Sequence, residues 1–542
     1  MNNAVYKLER PVNEPTRDYA PGSPDAESLL KEIKRQSSIE VEIPLIIGGK
    51  EIKTGNVANV VMPHNHKHKL GVFHKAGANE VKMAIEAALE ARERWAATSW
   101  DDRASISIKI ADLISTKYRD TINASTILGQ SKNFWQAEID AACEICDFLR
   151  FNAYNASDIF SFFQPLQTYK TFNRVELRPL EGFVYTVTPF NFTAIACNLN
   201  MAPVVLGNVT VWKPATTSVL SSYYLMQIYK EAGLPDGIIN FVPGSGSVIS
   251  DTVLKHKYFS GLHFTGSNET FNALWGQIAE NLGNYRSYPR IVGETGGKDF
   301  IFAHNSADTD ALSTAIVLGA FEYQGQKCSA SSRSYVPRSI WPEVRQKISD
   351  RVAKIRVGDP ADPKTLMGAV IDEKSFDFTV AYLEAAKKSP DVEVLTGGGH
   401  DKSKGYFIEP TVLVCKDPKY TTMETELFAP VMSIYVYDDE KFEETLKLCD
   451  ETSVYGLTGS IFARDKYAMV KATETLKYAA GNFYINDKTT GSMVGQQPFG
   501  GSRASGTNDK VGSSFNLVRW VNPRSVKENY SPPTDVSFPH MG

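Results

Sequence analysis

Three loops of the sequence carry side chains that could act together on one carbonyl carbon. Cys328 lies in "GQKCSAS", among small and polar residues, whereas a cysteine used only for packing usually has apolar neighbours. Glu294 lies in "VGETGGKD", where glycines let a ligand come close. Asn191 lies in "TPFNFTA", where packing gives no reason for an amide. Each residue alone also fits a structural role, but together they supply a nucleophile, a base and an oxyanion donor.

This combination is what the oxidation of an aldehyde to an acid requires. A thiolate adds to the aldehyde, and the Asn191 side chain and the Cys328 backbone N–H can hold the oxyanion that forms. The adduct then gives a hydride to a nicotinamide and becomes a thioester, which a water activated by Glu294 hydrolyses. Because a free cysteine has a pKa of about 8.5, something must favour the thiolate. Lys327 or amide dipoles are the candidates.

The composition restricts the class of protein. The chain has 542 residues, of which 42% are hydrophobic and 22% charged, and this predicts a soluble globular protein of two or three domains. A net charge of −4 disfavours binding to nucleic acid. The sequence contains no uncharged apolar run of about 18 residues, so no membrane span is predicted. The N-terminal segment lacks an apolar signal core, and the six scattered cysteines suit reduced thiols, so we expect a cytoplasmic protein.

The first half of the chain predicts an irregular arm of about 25 residues followed by helices. Apolar residues recur at helical spacing in 79–95, and two further helices are predicted in 101–118 and 137–153. Asp101 or Asp102 is expected to cap the second of them.

From residue 181 onward, short β-rich runs alternate with helical segments, which predicts a parallel sheet covered on both faces. Ligands bind beyond the carboxyl ends of such strands. The pattern repeats to about residue 490, which predicts a second α/β unit carrying Cys328. The β-prone C-terminal stretch is expected to pair with another segment or subunit. The loops expected at the strand ends are Thr188–Phe192, Lys213–Ala215, Pro243–Gly246 and Thr265–Ser267.

Two patterns resemble metal sites, but a structural role is favoured for both, and we predict no metal. Cys143 and Cys146 fall within a helical segment without a second cysteine pair, which is typical of one packed helix face. His64, His66 and His68 alternate along a possible strand. Because no carboxylate is close in sequence and Lys67 and Lys69 would repel a cation, a solvated strand or hairpin is favoured over a zinc or copper site.

Seven motifs occur in the order found in the aldehyde dehydrogenase superfamily, which the chain resembles over residues 40 to 525. They are "TPFNF", "WKPA", "FTGS", "GETGGK", "GQKCSA", "ELFAPV" and "PFGG". The resemblance implies an α/β protein with a Rossmann-like cofactor domain, an α/β catalytic domain and a small β oligomerisation flap. The implied ranges are 1–160 with 182–293 for NAD binding, 294–494 for catalysis, and 161–181 with 495–542 for the flap.

By the same resemblance, Cys328 is the nucleophile, Glu294 the base for deacylation and Asn191 the oxyanion donor. The implied cofactor is NAD, with NADP less favoured, and the implied contacts are Pro189, Lys213, Ser267, Glu426 and Phe428. Many relatives have an acid where Thr216 stands, which weakens the preference. NAD is still favoured because no basic residue sits nearby to bind a 2′-phosphate. Ala429 replaces a usual glycine, and we expect this to be tolerated.

The stretches "AGNFYINDKTTGSMVGQQPFGGSRASGTNDK" and "AFEYQGQKCSASSR" resemble the branch that oxidises L-glutamate γ-semialdehyde, the open form of Δ1-pyrroline-5-carboxylate, to glutamate. This implies a role in proline breakdown, with a separate proline dehydrogenase as its neighbour in the pathway. The substrate carboxylate needs donors, for which Gly491, Ser492 and Ser329 are the candidates. Phe192 and Phe499 are expected to enclose the aliphatic part, and Glu144 to approach the ammonium unless it is a surface carboxylate.

Other interpretations of the sequence stay open. A relative acting on another small semialdehyde, such as succinate semialdehyde, is the nearest alternative. A non-catalytic binding relative would be expected to lack Cys328, Glu294 or Asn191, and all three are present. A thiol hydrolase would not need Lys213 or "FTGS". The resemblance implies at least a homodimer.

Overall fold

Two seven-stranded sheets, which follow one another along the chain, form the centre of the structure, a computed structural model that describes residues 7–162 and 164–542. The predicted arm and flap include residues 1–6 and residue 163, which lie outside the described residues.

The first sheet has five neighbouring parallel strands and two antiparallel strands at one edge. Most residues of the parallel strands are buried on both faces, as the alternation of strands and helices predicts. In order across the sheet, the strands are Arg290–Glu294, Phe259–Thr265, Phe183–Val187, Thr210–Lys213, Ile239–Phe241, Leu45–Ile47 and Lys50–Ile52.

The second sheet has six neighbouring parallel strands and a single antiparallel strand at one edge. This confirms the prediction of a second α/β unit that contains Cys328. In order across the sheet, the strands are Val392–Thr396, Thr411–Cys415, Val431–Tyr437, Ser331–Pro337, Asp299–Ala303, Thr458–Phe462 and Asn482–Ile485.

Helices cover both sheets. The α-helices in the described part of the chain are Pro24–Ser37, Ala78–Ala97, Trp100–Ser115, Arg119–Gln130, Phe134–Ala137, Glu144–Phe162, Thr193–Val205, Val219–Ala232, Gly246–Val253, Asn268–Glu280, Thr309–Phe321, Trp341–Val352, Glu373–Lys388, Thr421–Glu424, Phe442–Glu451, Lys466–Thr475 and Ser514–Leu517. All three helices predicted before residue 160 are present.

The predicted cap of the second of these helices, Trp100–Ser115, is wrong. Ser99 precedes this helix, and its hydroxyl accepts a hydrogen bond from the Asp102 N–H at 3.3 Å. Asp101 and Asp102 lie in the first turn instead.

The third predicted helix contains a wider turn. Between Phe134–Ala137 and Glu144–Phe162, the segment Glu138–Cys143 is π-helical. A π-helical turn accommodates one more residue than an α-helical turn, and such turns are frequent at functional sites. Here the segment carries Asp140 and Cys143, which both line the cavity that contains Cys328.

Four small sheets complete the described structure. Thr171–Pro179 pairs antiparallel with Val521–Asn529 over nine residues, so the C-terminal stretch pairs with another segment of its own chain, as one of the two predictions proposes. The other three sheets join Val41–Ile43, Asn65–His74 and Val57–Met62; His400–Asp401 and Phe407–Ile408; and Tyr455–Gly456 and Ser502–Arg503.

The three histidines lie in and beside a hairpin, as predicted, but they are not all solvated. His64 is buried, with its Nε2 3.5 Å from Asp359 Oδ1, and burial lowers the pKa of its imidazole to about 4. The Nε2 atoms of His66 and His68 lie 2.9 and 2.8 Å from the carbonyl oxygens of Lys402 and Ser37. The three rings therefore have three separate partners. Within the described residues, no cluster of three His, Cys, Asp or Glu side chains could hold a metal ion.

Among the helices of the described ranges, none combines the length and the apolar character that a membrane span requires.

A pair of glycines tests the packing beneath Glu294. A Cβ at Gly293 would lie 2.2 Å from the Phe271 ring, whereas a Cβ at Gly276, in the helix Asn268–Glu280, would meet nothing within 4 Å. We expect Gly293→Ala to destabilise the protein by about 1–3 kcal/mol through overpacking. Gly276→Ala should be neutral or stabilise it by up to about 1 kcal/mol. Thermal unfolding measures both, and a Gly293→Ala protein as stable as Gly276→Ala would contradict the packing.

Candidate active site

A cavity of ≈ 390 Å³ brings together eight of the predicted residues. It lies at the carboxyl ends of the first sheet and faces the loop before Ser331–Pro337. The predicted residues that line it are Glu144, Phe192, Glu294, Cys328, Ser329, Gly491, Ser492 and Phe499. The thiol, the carboxyl group and the loop predicted to bind the substrate carboxylate thus share one space.

Cys328 lies in a tight turn between a short 3₁₀ segment, Glu322–Gly325, and the strand Ser331–Pro337. Its side chain is partly exposed, whereas the other five cysteines are buried. A Cβ at Gly297 would lie 2.7 Å from the Cys328 carbonyl oxygen, so only glycine lets the Glu294 loop approach this closely. The loop with the sequence "ETGG" therefore needs its glycine at 297 in order to pack against the turn that carries Cys328.

The thiol of Cys328 is not activated by Lys327. Burial raises its pKa above the ordinary value, and the carboxyl groups of Asp299 and Glu294 raise it further. The Lys327 Nζ lies 3.1 Å from Asp140 Oδ2, an acid distant in sequence. Of the two candidates for favouring the thiolate, Lys327 is therefore bonded to another group, and the thiol keeps a raised pKa.

Glu294 ends the strand Arg290–Glu294 and pairs in register with Thr265. Its side chain is buried, and neither carboxyl oxygen has a hydrogen-bond partner among the described residues. Burial raises the pKa of this carboxyl group well above its ordinary value, although the charge of Lys510 acts in the opposite direction. A buried, unpartnered carboxyl group with a raised pKa is suited to exchange a proton with a water in the cavity.

Asn191 does not line the cavity directly but is bonded to the nucleophile loop. It is buried, and its Nδ2 donates a hydrogen bond to the Gln326 carbonyl oxygen at 3.0 Å. Gln326 precedes Cys328 by two residues, so the structure brings the predicted donor beside the thiol. The amide has a second N–H that this bond does not use.

Glu144 lines the same cavity as Cys328, so the alternative interpretation of it as a surface carboxylate is wrong, whereas its approach to a substrate ammonium stays a prediction. Its Oε2 is buried without a hydrogen-bond partner among the described residues. Burial raises the pKa of this carboxyl group well above its ordinary value, and the neighbouring Asp140 adds to the effect.

A buried ion cluster lies under the cavity, and the sequence does not predict it. Lys132 Nζ lies 2.6 Å from Asp140 Oδ2, the same oxygen that binds Lys327, and all three side chains are buried. Burial lowers the pKa of Lys132 to about 8. Its Nζ also lies 4.0 Å from the centre of the Phe192 ring, close enough for a cation–π contact. The cluster fixes one wall of the cavity to the residue before the nucleophile.

The same cluster reaches the loop that comes after the last strand of the second sheet. Glu322 Oε2 lies 3.8 Å from Lys327 Nζ, and its Oε1 accepts a hydrogen bond from Lys488 Nζ at 2.5 Å. The Thr489 hydroxyl donates to the Ser329 carbonyl oxygen at 2.7 Å. Residues on both sides of the nucleophile are thereby tied to the segment that leads into Gly491 and Ser492.

The predicted cofactor residue Lys213 lies at the end of a parallel strand and lines a second cavity of ≈ 510 Å³. Burial lowers the pKa of its ammonium to about 8, and no ion pair to it is found in residues 7–162 and 164–542. Thr216 and Lys75 line the same cavity. The argument that no basic residue is near is therefore wrong, because Lys75 approaches from a segment 138 residues earlier than Lys213.

Three other predicted cofactor residues lie in loops at the sheet edges. The Pro189 carbonyl oxygen accepts a bond from the Ser218 hydroxyl at 3.5 Å. Ser267 caps the helix Asn268–Glu280, where the free N–H groups attract anions. Glu426 Oε1 accepts a hydrogen bond from the Gly297 N–H at 2.9 Å, and burial raises the pKa of its carboxyl group to about 7.

Phe428 has a left-handed backbone with φ of 54°, and its ring lies edge-on to Phe190 at 5.9 Å between centroids. Ala429, where a glycine is usual in the family, does not have a positive φ. An alanine therefore fits this position without backbone strain, as expected.

Several further cavity residues come from the arm and from the segment around the π-helical turn, and the sequence does not single them out. They are Glu14, Thr16, Trp135, Ile139, Asp140, Cys143 and Asp147. The density of acids and cysteines in "AEIDAACEICD", within a segment otherwise predicted to pack, is the signal that could have indicated them.

Comparison with known proteins decides the family. Residues 51–526 match the aldehyde dehydrogenase family. The chain belongs to this family. Its fold is accordingly the aldehyde dehydrogenase fold, and the predicted fold class is confirmed.

Several relatives of this aldehyde dehydrogenase carry the same name. It is 50% identical over 540 residues to the mitochondrial delta-1-pyrroline-5-carboxylate dehydrogenase of Dictyostelium discoideum, covering 99% of this chain and 97% of the relative. It is 49% identical over 541 residues to the probable delta-1-pyrroline-5-carboxylate dehydrogenase of Schizosaccharomyces pombe, covering 99% of both. The crystal structure of the enzyme from Mycobacterium tuberculosis bound with NAD is 46% identical, with a TM-score of 0.96 and 100% coverage of both chains.

The raised thiol pKa predicts slow alkylation of Cys328 in the free aldehyde dehydrogenase. Since the thiolate is the reactive form, the rate with iodoacetamide should be lower at neutral pH than that of a free thiol and should rise steeply through the alkaline range. Glu144→Gln replaces a carboxyl group whose raised pKa favours its neutral form, so it should leave the rate at neutral pH nearly unchanged. Mass spectrometry follows the modification, with Cys328→Ser as control. A rate that levels off below about pH 8 would contradict the prediction.

Proposed function

We propose that this aldehyde dehydrogenase oxidises L-glutamate γ-semialdehyde to L-glutamate with NAD in proline catabolism. The observation that carries the proposal is the single cavity that holds the Cys328 thiol and Glu294 together with Gly491 and Ser492. Two relatives that are about 50% identical to this chain over nearly its full length are named delta-1-pyrroline-5-carboxylate dehydrogenases, and their names support the proposed substrate. The relative bound with NAD, which is equally long, supports the cofactor.

The cavity has groups for each part of the substrate. The Ser492 hydroxyl, the Ser329 hydroxyl and the backbone N–H at Gly491, where φ is +94°, suit the α-carboxylate. Glu144 suits the α-ammonium, because a nearby cation would favour ionisation of a carboxyl group that burial keeps neutral. Phe192 and Phe499 enclose the aliphatic carbons.

The residues present also suit NAD. Lys213 is a partly buried ammonium that faces a cavity and has no ion pair within the described ranges, which favours the hydroxyl groups of a ribose as partners. Ser267 lies at a helix N-terminus suited to the pyrophosphate. The family resemblance supports Glu426 and Phe428 as contacts of the nicotinamide ribose and ring, and Pro189 as a further cofactor contact. NAD, when bound, would accept the hydride that the substrate carbon loses.

The protein's own groups would carry the remaining steps. Cys328 gives its proton to a water in the cavity and its sulfur forms a bond to the aldehyde carbon, while the C=O π electrons move to the oxygen and the Asn191 amide and the Cys328 N–H donate hydrogen bonds to the resulting oxyanion. After hydride loss the C–S bond remains as a thioester. Glu294 takes a proton from water, the resulting hydroxide adds to the thioester carbon, and the C–S bond breaks to release the acid and the thiolate.

We also propose the domain ranges and a homodimer. Within the described residues, Thr171–Pro179 and Val521–Asn529 form a two-stranded sheet with no third strand on either edge, which supports pairing across subunits. A cytoplasmic location stays a prediction, because the Dictyostelium relative is named mitochondrial whereas the Schizosaccharomyces relative carries no location in its name.

A panel of aldehydes tests the substrate. We expect L-glutamate γ-semialdehyde to be oxidised with a kcat/KM at least about tenfold above that of succinate semialdehyde, because the latter lacks the ammonium. Ser492→Ala should lower kcat/KM for the former by roughly tenfold, since a hydrogen bond to a charged group contributes about 1.5–3 kcal/mol. NADH absorbance with NAD, and NADPH absorbance with NADP, measure the rates.

Cys328→Ser is the control in this panel and should form no NADH. Equal rates with the two aldehydes would favour the interpretation as a dehydrogenase of another semialdehyde. Absence of any NADH from the unmodified protein would favour a non-catalytic relative, and aldehyde-independent ester hydrolysis would favour a hydrolase.

Glu294→Gln tests the base. We expect a burst of NADH equal to the number of active sites, followed by a steady rate about 10²–10⁴-fold lower, because the thioester forms but its hydrolysis lacks a proton acceptor. In the unmodified enzyme, the deacylation rate should rise with pH, since the raised pKa keeps Glu294 protonated at lower pH. Stopped-flow absorbance measures the burst, and a variant without a burst would assign Glu294 to an earlier step.

A further inference from the structure

The irregular arm forms part of the substrate cavity. Glu14 and Thr16 line it. N-terminal segments without secondary structure usually make few contacts, but this one is held by buried side chains. The Arg17 N–H and the Tyr19 hydroxyl donate hydrogen bonds to the two carboxyl oxygens of Glu138, each at 2.8 Å.

One arm residue, Asn13, is bonded to two different walls of the cavity. Its Nδ2 donates to Asp147 Oδ2 and to the Val494 carbonyl oxygen, both at 2.8 Å. Its Oδ1 accepts a hydrogen bond from Gln496 Nε2, also at 2.8 Å. Both N–H groups and the carbonyl oxygen of the amide therefore have partners.

The two walls are those proposed to hold the two charges of the substrate. Val494 and Gln496 belong to the loop formed by residues 491–496, here named the anchor loop, which begins with Gly491 and Ser492. Asp147 lies one helical turn after Glu144 and, like it, lines the cavity. Because the α-carboxylate and α-ammonium are attached to one carbon, the groups that bind them must be held at a fixed separation.

We infer that Asn13 is a positioning residue that sets the anchor loop at the correct distance from the helix carrying Glu144, and so determines affinity for an α-amino acid aldehyde. This inference rests on the proposed function. Asn13 touches neither the thiol nor Glu294, and it lies on a segment outside the matched residues 51–526.

Neighbouring contacts keep the arm in place when Asn13 is changed. Arg10 Nη2 donates to the Gly495 carbonyl oxygen at 3.1 Å. The Glu14 N–H donates to Asp147 Oδ1 at 2.7 Å, and the Glu14 carboxylate pairs with Arg150 at 2.6 Å. Loss of the Asn13 amide should therefore loosen the anchor loop without releasing the arm. An aspartate would be worse than an alanine, since it cannot donate and would place a second carboxylate beside Asp147.

The experiment compares Asn13→Ala and Asn13→Asp with Val12→Ala, whose parent side chain is 82% exposed. Each full-length variant is assayed with L-glutamate γ-semialdehyde and with butanal, which has neither carboxylate nor ammonium. Asn13→Ala should raise KM for the amino acid aldehyde about tenfold, and Asn13→Asp should raise it further. The kcat for that substrate, the KM for NAD and the kcat/KM for butanal should stay within about twofold of the unmodified enzyme, and Val12→Ala should match it throughout.

An unchanged KM, or an equal loss for both aldehydes, would overturn the inference. If Asn13→Ala is unstable, Gln496→Ala decides, because it removes one bond from an exposed side chain: a roughly two- to fivefold rise in the same KM supports the inference and no rise overturns it. An unmodified enzyme without preference for the amino acid aldehyde removes the proposed function and this inference together. A preference that the Asn13 variants retain removes the inference alone.

Discussion

One carboxylate oxygen, Asp140 Oδ2, holds two buried lysines. Lys132 lies 2.6 Å away and Lys327 3.1 Å away, and all three side chains are nearly inaccessible to water. Burying charges is costly, so removing one partner of such a cluster typically destabilises a protein by about 3–5 kcal/mol. The three residues come from a helix end, a π-helical segment and the nucleophile loop. Their mutual pairing therefore allows only one arrangement of these segments, and the position of Cys328 depends on it.

Burial also sets the charge state of the site. The carboxyl groups of Glu294, Glu144 and Glu426 and the thiol of Cys328 all have raised pKa values, with burial as the first cause. The raised pKa values favour the neutral forms, which limits repulsion among the three of these groups that line one cavity, Glu294, Glu144 and Cys328. A cationic group or a hydrogen-bond donor that enters with a ligand changes this balance. The ionisation of the carboxyl groups and the thiol, and with it their reactivity, therefore depends on whether a ligand fills the cavity.

Short-range patterns in the sequence are enough to predict the loops that carry the chemistry. Apolar runs ending in Pro or Gly mark the edge of a parallel sheet, and they indicate the strand-end loops of Asn191, Lys213 and Glu294. The turn at Cys328 is indicated by neighbours that are too polar for a packing cysteine. Ser99 is not recognised as a cap, because the aspartates after it are equally good cap residues and only backbone geometry distinguishes them.

Long-range pairing could not be predicted in the same way. Lys327 is one of two candidates from sequence for acting on the adjacent thiol, but its partner Asp140 lies 187 residues earlier and Lys132 binds the same oxygen. Lys75, which lines the cavity of Lys213, and Asn13, which reaches the anchor loop, are likewise distant in sequence from what they contact. The burial of His64 has the same origin, because its partner Asp359 belongs to a different part of the chain.

The π-helical segment Glu138–Cys143 has a consequence for how this helix tolerates changes in length. In an α-helix each residue turns the chain by about 100°, since 3.6 residues complete a turn. A deletion in the regular part of Glu144–Phe162 would therefore rotate everything before it by that angle. The wide turn Glu138–Cys143 already holds about one residue more than a regular turn, so deleting one residue there would restore regular hydrogen bonding with little rotation of Phe134–Ala137 relative to Glu144–Phe162. The cost of such a deletion would fall on the segment itself, which holds Asp140 beside its two lysines.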